Sequence, residues 1–194
     1  NRVARVTGKD IRQRQTDGTR QTAGYTVQQQ RRQGSKGVAQ MERGAAVERD
    51  AEEQLAYLQK LLVEGRLVAV GEAGLDKLTA APMELQVRIL GKQVELSEKY
   101  ELPLIIHCVK AMDELLALRK ECAPKQPWIW HGFRGKPEQA KQLLQKGFYL
   151  SFGMHYSSEA MNVVPDSRLF LETDDSPVDI EDVLRDAAKV RGVE

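Results

Sequence analysis

Apolar and polar positions along residues 51–194 follow two different periods. Leu55, Leu58 and Leu62 recur with the spacing of one helix face, and Gly65 stands where such a helix ends. Similar helical stripes begin near residues 85, 112, 137 and 179, and Asp179 can cap the last of them. The pattern therefore predicts at least five helices in this part of the chain.

Short apolar runs separate these predicted helices and indicate strands. They cover residues 67–71, 102–107, 127–131, 148–152 and 168–173. Strands that alternate with helices through short connections form a parallel sheet with right-handed crossovers. Such βα units either close as a (β/α)8 barrel or remain an open, doubly wound sheet, and the polar residues at the strand ends favour the barrel.

Four polar residues stand at the carboxyl ends of separate runs, namely Glu72, His107, His131 and Asp174. The carboxyl ends of parallel strands meet at one face, so these side chains can point into one cavity. Two imidazoles and two carboxylates suit Zn²⁺ or Mn²⁺ and, less strictly, Mg²⁺. A cation there would acidify water and neutralise phosphate charge. Any one residue alone is more often structural, but the four together predict a metal site.

Composition divides the chain near residue 50. Residues 1–50 contain 11 basic and 5 acidic side chains and no leucine or phenylalanine, whereas the remainder is leucine-rich and periodic. We therefore predict an atypical polar, basic segment at 1–50 and a barrel domain at 51–194. Three interpretations of the first segment stay open: a solvated arm, a basic arm that contacts nucleic acid, or an altered translation of barrel sequence.

Whole-chain properties narrow the protein class. The formal net charge of +1 does not indicate a polyanion binder, and two cysteines are too few for a disulfide framework. No apolar run approaches the ~20 residues that cross a bilayer, and no hydrophobic signal core opens the chain. We therefore expect a cytoplasmic protein without a membrane partner.

The motifs around the four strand-end residues resemble, in order and spacing, those of TatD-family metal-dependent deoxyribonucleases across residues 66–178. The matching stretches are Gly71-Glu72-Ala73-Gly74-Leu75-Asp76, residues 102–107, His131-Gly132-Phe133-Arg134-Gly135, residues 147–152 and Leu171-Glu172-Thr173-Asp174. Five motifs in register form a specific signal.

The resemblance implies a TIM (β/α)8 barrel of the metal-dependent hydrolase type that cleaves phosphodiesters. It also implies 3′-to-5′ exonuclease action on DNA with one or two divalent metals, Mg²⁺, Mn²⁺ or Zn²⁺. By position, Glu72 matches a metal-bridging glutamate, and His107 and His131 match two histidine ligands. Asp174 matches an aspartate that binds metal and orients or deprotonates water. Glu72 and Asp174 are thus the expected catalytic residues.

The sequence departs from the family pattern in three places. The middle motif has Gly132 and Arg134 where the family usually has Cys and Ser, and two residues instead of one separate Asp174 from Pro177. Arg134 is equally compatible with a phosphate contact and with a solvated surface position. The family's first His-x-His pair is absent, because the three histidines stand at positions 107, 131 and 155. We therefore expect the barrel to be incomplete at its amino end.

These observations predict a divalent-metal-dependent hydrolase of the deoxyribonuclease type, with DNA as its substrate. Two alternatives remain: an amidohydrolase-like esterase or amidase, and a catalytically degenerate family member with an incomplete metal site. The sequence does not reveal the oligomeric state, and a monomer is the simplest expectation.

Overall fold

The computed structural model of the chain describes residues 39–174 and 176–193, and for residues 39–49 it describes the backbone alone. Most of the predicted polar segment 1–50 therefore lies outside the described residues. The boundary predicted at residue 50 falls inside a continuous helix, α1, which extends from Ala39 to Val63.

Strands and helices alternate throughout the described residues. The strands are β1 (Val70–Asp76), β2 (Leu104–Val109), β3 (Trp128–Trp130), β4 (Phe148–Phe152) and β5 (Leu169–Leu171). The helices that follow α1 are α2 (Met83–Tyr100), α3 (Met112–Cys122), α4 (Pro137–Gln145), α5 (Ser158–Asn162) and α6 (Ile180–Arg191), and a 3₁₀ turn at Asp166–Arg168 precedes β5.

The five strands form one parallel sheet in the order β1-β2-β3-β4-β5. Parallel neighbours require a crossover, and helices α2, α3 and α4 supply the first three of these connections. This is the architecture of a partial (β/α) barrel, so the predicted fold class is confirmed.

The core lies between the sheet and its helices. Every residue of β3 is buried, and the indole of Trp128 meets Phe148 of β4 edge to face. Large side chains that are fully buried come from each of the first four strands and from α2, α3, α4 and α5, among them Leu75, Leu90, Leu104, Leu115, Leu143, Leu150 and Met161. Apolar burial on this scale stabilises the sheet and fixes the positions of the strand ends.

Strand β1 differs in its bounds from the predicted strand at 67–71. Val70 donates to the carbonyl of Pro103, and pairing with β2 then continues to Asp76, with an irregularity in register between Val70 and Ala73. Glu72 therefore lies within the strand, at this irregularity, rather than at its carboxyl end. The apolar run of the sequence misplaces the strand because backbone pairing, rather than hydrophobicity, decides where it begins and ends.

None of the helices in the described residues combines the length and hydropathy that a membrane-spanning segment requires.

Candidate metal centre

Three neighbouring strands bring Glu72, His107 and His131 together. Glu72 belongs to β1 and His107 to β2, and His131 directly follows β3, where its backbone N–H donates to Ile106 of β2 at 3.0 Å. Each of the three offers one ligand atom, and these atoms all lie within 4.8 Å of one another. The three therefore form a group that can hold a metal ion.

The closest atoms of this group are ring nitrogens. Nδ1 of His107 lies 3.1 Å from Nε2 of His131, and the same Nε2 lies 3.5 Å from a carboxylate oxygen of Glu72. Two imidazole lone pairs at this distance repel each other unless a proton or a cation lies between them. The geometry thus fits a cation bound by two nitrogens and one oxygen, a donor set that suits Zn²⁺ or Mn²⁺.

Each histidine ring has a carboxylate near the nitrogen that points away from the other ring. Oδ2 of Asp76 is 4.0 Å from Nε2 of His107, and Oε1 of Glu172 is 3.5 Å from Nδ1 of His131. Each ring therefore turns one nitrogen toward the other ring and its second nitrogen toward a carboxylate. Metal-binding histidines commonly have such a carboxylate partner, which orients the ring.

Glu172 is a residue of the site that the sequence analysis missed. It follows β5, and its carboxylate accepts hydrogen bonds from the backbone N–H of Gly132 at 2.6 Å and from the hydroxyl of Ser151. Its only signal in the sequence is a charged residue directly after an apolar run, in the same motif as Asp174. That signal does not reveal its partners, which lie 21 to 41 residues earlier in the chain.

Burial and neighbouring charges shift the pKa values of the centre in opposite directions. Burial raises the pKa of Glu72 above its ordinary value. Burial lowers the pKa of His107, and the nearby His131 lowers it further. Burial also acts to lower the pKa of His131, but the contact with Glu172 and the charge of Glu72 outweigh it and raise that pKa. Such opposed shifts within one small group are typical of functional sites.

Asp174 lies close to this group but outside it. It follows β5 by three residues, is exposed, and has a φ of 49°, which is unusual for a residue other than glycine. Its negative charge acts to raise the pKa values of Glu72, His107 and His131, so it stands within electrostatic reach of all three. Its role as a metal ligand stays a prediction.

The other predicted contact, Arg134, is exposed in the segment between β3 and α4, three residues after His131. Cys108, next to His107, is a free thiol, and burial raises its pKa to about 12. Neither residue has a ligand atom in the group formed by Glu72, His107 and His131.

Comparisons with known proteins identify the family of this chain. A sequence profile described as "TatD related DNase" matches residues 24–188. The match therefore includes part of the polar, basic segment 1–50. The metal-dependent hydrolase YabD of Bacillus subtilis is 33% identical over 132 residues, which are 63% of this chain and 52% of that protein. The 3′-5′ ssDNA/RNA exonuclease TatD of Cronobacter sakazakii is 32% identical over 134 residues, which are 63% of this chain and 51% of that protein.

A solved structure gives the same result for the fold. The crystal structure of YjjV, a TatD homologue from Escherichia coli, superposes with a TM-score of 0.63 at 27% identity and covers 72% of this chain and 62% of its own. The chain spans about half the length of the curated relatives it matches.

Proposed function

Because this chain belongs to the TatD-related DNase family, we propose that it hydrolyses phosphodiester bonds of DNA with the help of a divalent metal ion. The observation that carries the proposal is the convergence of Glu72, His107 and His131, whose ligand atoms lie within 4.8 Å of one another. Phosphodiester hydrolysis needs a cation near the scissile phosphate and an activated water molecule, and this donor set suits such a cation.

Glu72, His107 and His131 would hold the metal, and Asp174 would complete its donor set. When bound, a divalent cation supplies Lewis acidity to the phosphate and lowers the pKa of a water molecule. One or two ions of Mg²⁺, Mn²⁺ or Zn²⁺ are compatible with the proposal. Lewis-acid assistance of this kind requires a largely desolvated site, and the side chains of His131 and Glu72 are only 10% and 27% exposed.

Asp174 and Arg134 would act on the water molecule and on the DNA. Asp174 orients the attacking water molecule and accepts its proton, for which its exposed position beside the histidines is suitable. Arg134 contacts a phosphate of the DNA, since a guanidinium group matches phosphate geometry with two parallel hydrogen bonds. The proposed direction of cleavage is 3′ to 5′. A monomeric state and a cytoplasmic location remain predictions.

One observation favours a second candidate function, a family member that folds but does not catalyse hydrolysis. The sequence has three histidines, at positions 107, 131 and 155, and no His-x-His pair. A site with part of the expected donor set can bind a cation weakly without the second ion or the geometry that cleavage needs. Metal binding and cleavage therefore have to be measured separately.

A cleavage assay tests the proposal. The substrate is 5′-labelled single-stranded DNA with Mg²⁺ or Mn²⁺, and the variants are Glu72→Ala and Asp174→Asn, with Glu138→Gln on the exposed surface of α4 as the control. We expect products shortened from the 3′ end, no cleavage in EDTA, and a loss of about 100-fold or more in kcat/KM for both site variants. The control should retain the parent rate.

Cleavage at the parent rate by both site variants would contradict the assignment of these residues. Little or no stoichiometric metal together with no cleavage of DNA would instead support the degenerate alternative.

A further inference from the structure

Glu172 is a carboxylate whose orientation is fixed by groups from two other parts of the sheet. The backbone N–H of Gly132, just after β3, donates to Oε1 at 2.6 Å, and the hydroxyl of Ser151, in β4, donates to Oε2. The side chain of Glu172 is 15% exposed. A carboxylate with both oxygens engaged has little freedom to rotate, so the direction of its lone pairs is set by the fold.

The turn at Gly132 makes this arrangement possible. Gly132 has a φ of +60°, and a Cβ at this position would lie 3.6 Å from Oε1, in ordinary van der Waals contact. Other residues adopt this φ only at a cost, so glycine is the residue that fits here. A backbone N–H can only donate, and the facing atom of Glu172 must therefore accept.

The same Oε1 lies 3.5 Å from Nδ1 of His131. A neutral imidazole carries its proton on one nitrogen, and the nitrogen that faces a carboxylate is the one that is protonated. The remaining nitrogen, Nε2, then presents its lone pair to the opposite side. There it lies 3.1 Å from Nδ1 of His107 and 3.5 Å from Glu72.

We propose that Glu172 is a positioning residue that keeps His131 in the Nδ1–H tautomer, so that Nε2 is available as a donor toward Glu72 and His107. The use of that lone pair by a metal ion rests on the proposed function, whereas the tautomer itself does not. Ser151 and Gly132 act through Glu172 by holding its carboxylate in place.

The equivalent group behind His107 is less constrained. Oδ2 of Asp76 is 4.0 Å from Nε2 of His107, and Oδ1 of the same carboxylate accepts from the backbone of Leu78 at 2.7 Å. The Glu172 contact is shorter and its carboxylate has donors on both oxygens. Glu172 is therefore the partner expected to dominate the orientation of the histidine pair.

Nitrogen-15 NMR of the metal-free full chain tests the tautomer directly. The protein has three histidines, so three imidazoles are observed, and exposed His155 serves as the internal reference. At a pH where the rings are neutral, we expect His131 to carry its proton on Nδ1. His155 should show mainly the Nε2–H form of a solvated imidazole. His155→Gln and His107→Gln assign the signals.

Variants of Glu172 separate positioning from simple packing. Glu172→Met removes the acceptor at similar size, and Glu172→Asp keeps the charge but withdraws it from the ring. Glu172→Gln retains an oxygen that can accept from Gly132 and His131. We expect Met and Asp to lose the Nδ1–H preference and to weaken Zn²⁺ binding by about 10- to 100-fold, and Gln to restore both largely. Glu138→Gln is the surface control and should match the parent.

An unchanged His131 tautomer in a folded Glu172→Met or Glu172→Asp protein would overturn the proposal, and the Asp variant decides if the Met variant does not fold. If the parent binds none of Mg²⁺, Mn²⁺ and Zn²⁺, the proposed function fails, while the tautomer measurement still decides the role of Glu172.

Discussion

At the scale of single residues, the centre contains two imidazoles whose surroundings pull their pKa values apart. Burial lowers the pKa of His107, whereas the carboxylates of Glu172 and Glu72 overcome burial and raise the pKa of His131. His107 is therefore harder to protonate than His131. The two imidazoles thus form an electrostatically asymmetric pair, with two carboxylates acting on one ring and burial dominating at the other.

The two cysteines offer a test of burial at the edge of the site. Burial raises the pKa of Cys108 to about 12, so at pH 8 about one molecule in 10⁴ carries the thiolate that reacts. Cys122 is exposed at the end of α3. Ellman's reagent should therefore modify one thiol of the native protein rapidly and the second only after unfolding. Equal rates for both thiols in the native state would contradict the described packing.

Residue chemistry predicted part of the site from sequence. Glu72, His107 and His131 could be selected because each ends or follows an apolar run, and the structure brings them together. Glu172 was missed because its importance arises from Gly132 and Ser151, which reach it only after β3, β4 and β5 are paired. A single sequence carries no trace of such a contact.

At the scale of elements, the register between β1 and β2 sets the position of Glu72 relative to His107. Gly74 pairs with His107, and a Cβ built on Gly74 would lie 1.8 Å from the carbonyl oxygen of His107. The two strands approach this closely because position 74 has no side chain. The glycine therefore controls the distance between two residues of the metal centre.

Replacement of Gly74 should strongly destabilise the fold. Gly74→Ala forces β1 away from β2 and should lower the free energy of unfolding by about 3 kcal/mol or more, as measured by urea denaturation. Gly91→Ala is the matched control, because a Cβ there, in helix α2, meets nothing within 4 Å. That change should stabilise the protein by about 0.5–1 kcal/mol. Similar effects of both substitutions on the free energy of unfolding would contradict the close contact between β1 and β2 at Gly74.

The amino terminus of α6 provides a second element-scale prediction. The sequence predicts Asp179 as its cap, and the structure confirms this, since Asp179 accepts from the N–H of Glu181 at 2.8 Å. Asp179→Ala should reduce the free energy of unfolding by about 1 kcal/mol. Asp179→Asn should lose much less, because asparagine also caps. If alanine and asparagine have equal effects on thermal unfolding, the cap contributes nothing.

The sequence predicted the presence of helices and strands better than it predicted their first and last residues. The periodicity located every strand of the described sheet, yet it started β1 at residue 67 and ended it at 71, whereas pairing with β2 extends it to Asp76. Leu184 belongs to the apolar stripe of α6, yet 55% of it is exposed. Hydrophobicity marks which segment packs, and the partner strand or helix decides where contact begins and ends.

At the scale of the whole molecule, all five described strands contribute to the centre. Glu72 belongs to β1, His107 to β2 and Ser151 to β4, while His131 and Glu172 directly follow β3 and β5. The site therefore exists only when the sheet is assembled. A ligand that binds such a site binds the folded state and not the unfolded chain, so metal binding and folding are coupled.

Metal should consequently stabilise the fold. At a free concentration of about 100 times Kd, Zn²⁺ or Mn²⁺ should raise the free energy of unfolding by about 2.7 kcal/mol, observed as an increase in Tm. Glu72→Ala should abolish most of this increase, and Glu138→Gln should preserve it. A Tm shift of the same size in the Glu72 variant would place the stabilising ion elsewhere.

The most direct test of the central claim is an anomalous-scattering crystal structure of the protein with Mn²⁺ or Zn²⁺. We expect a peak within about 2.0–2.2 Å of a ring nitrogen of His107, a ring nitrogen of His131 and a carboxylate oxygen of Glu72. A saturated crystal in which these three side chains adopt the described positions with no anomalous peak among them would contradict it.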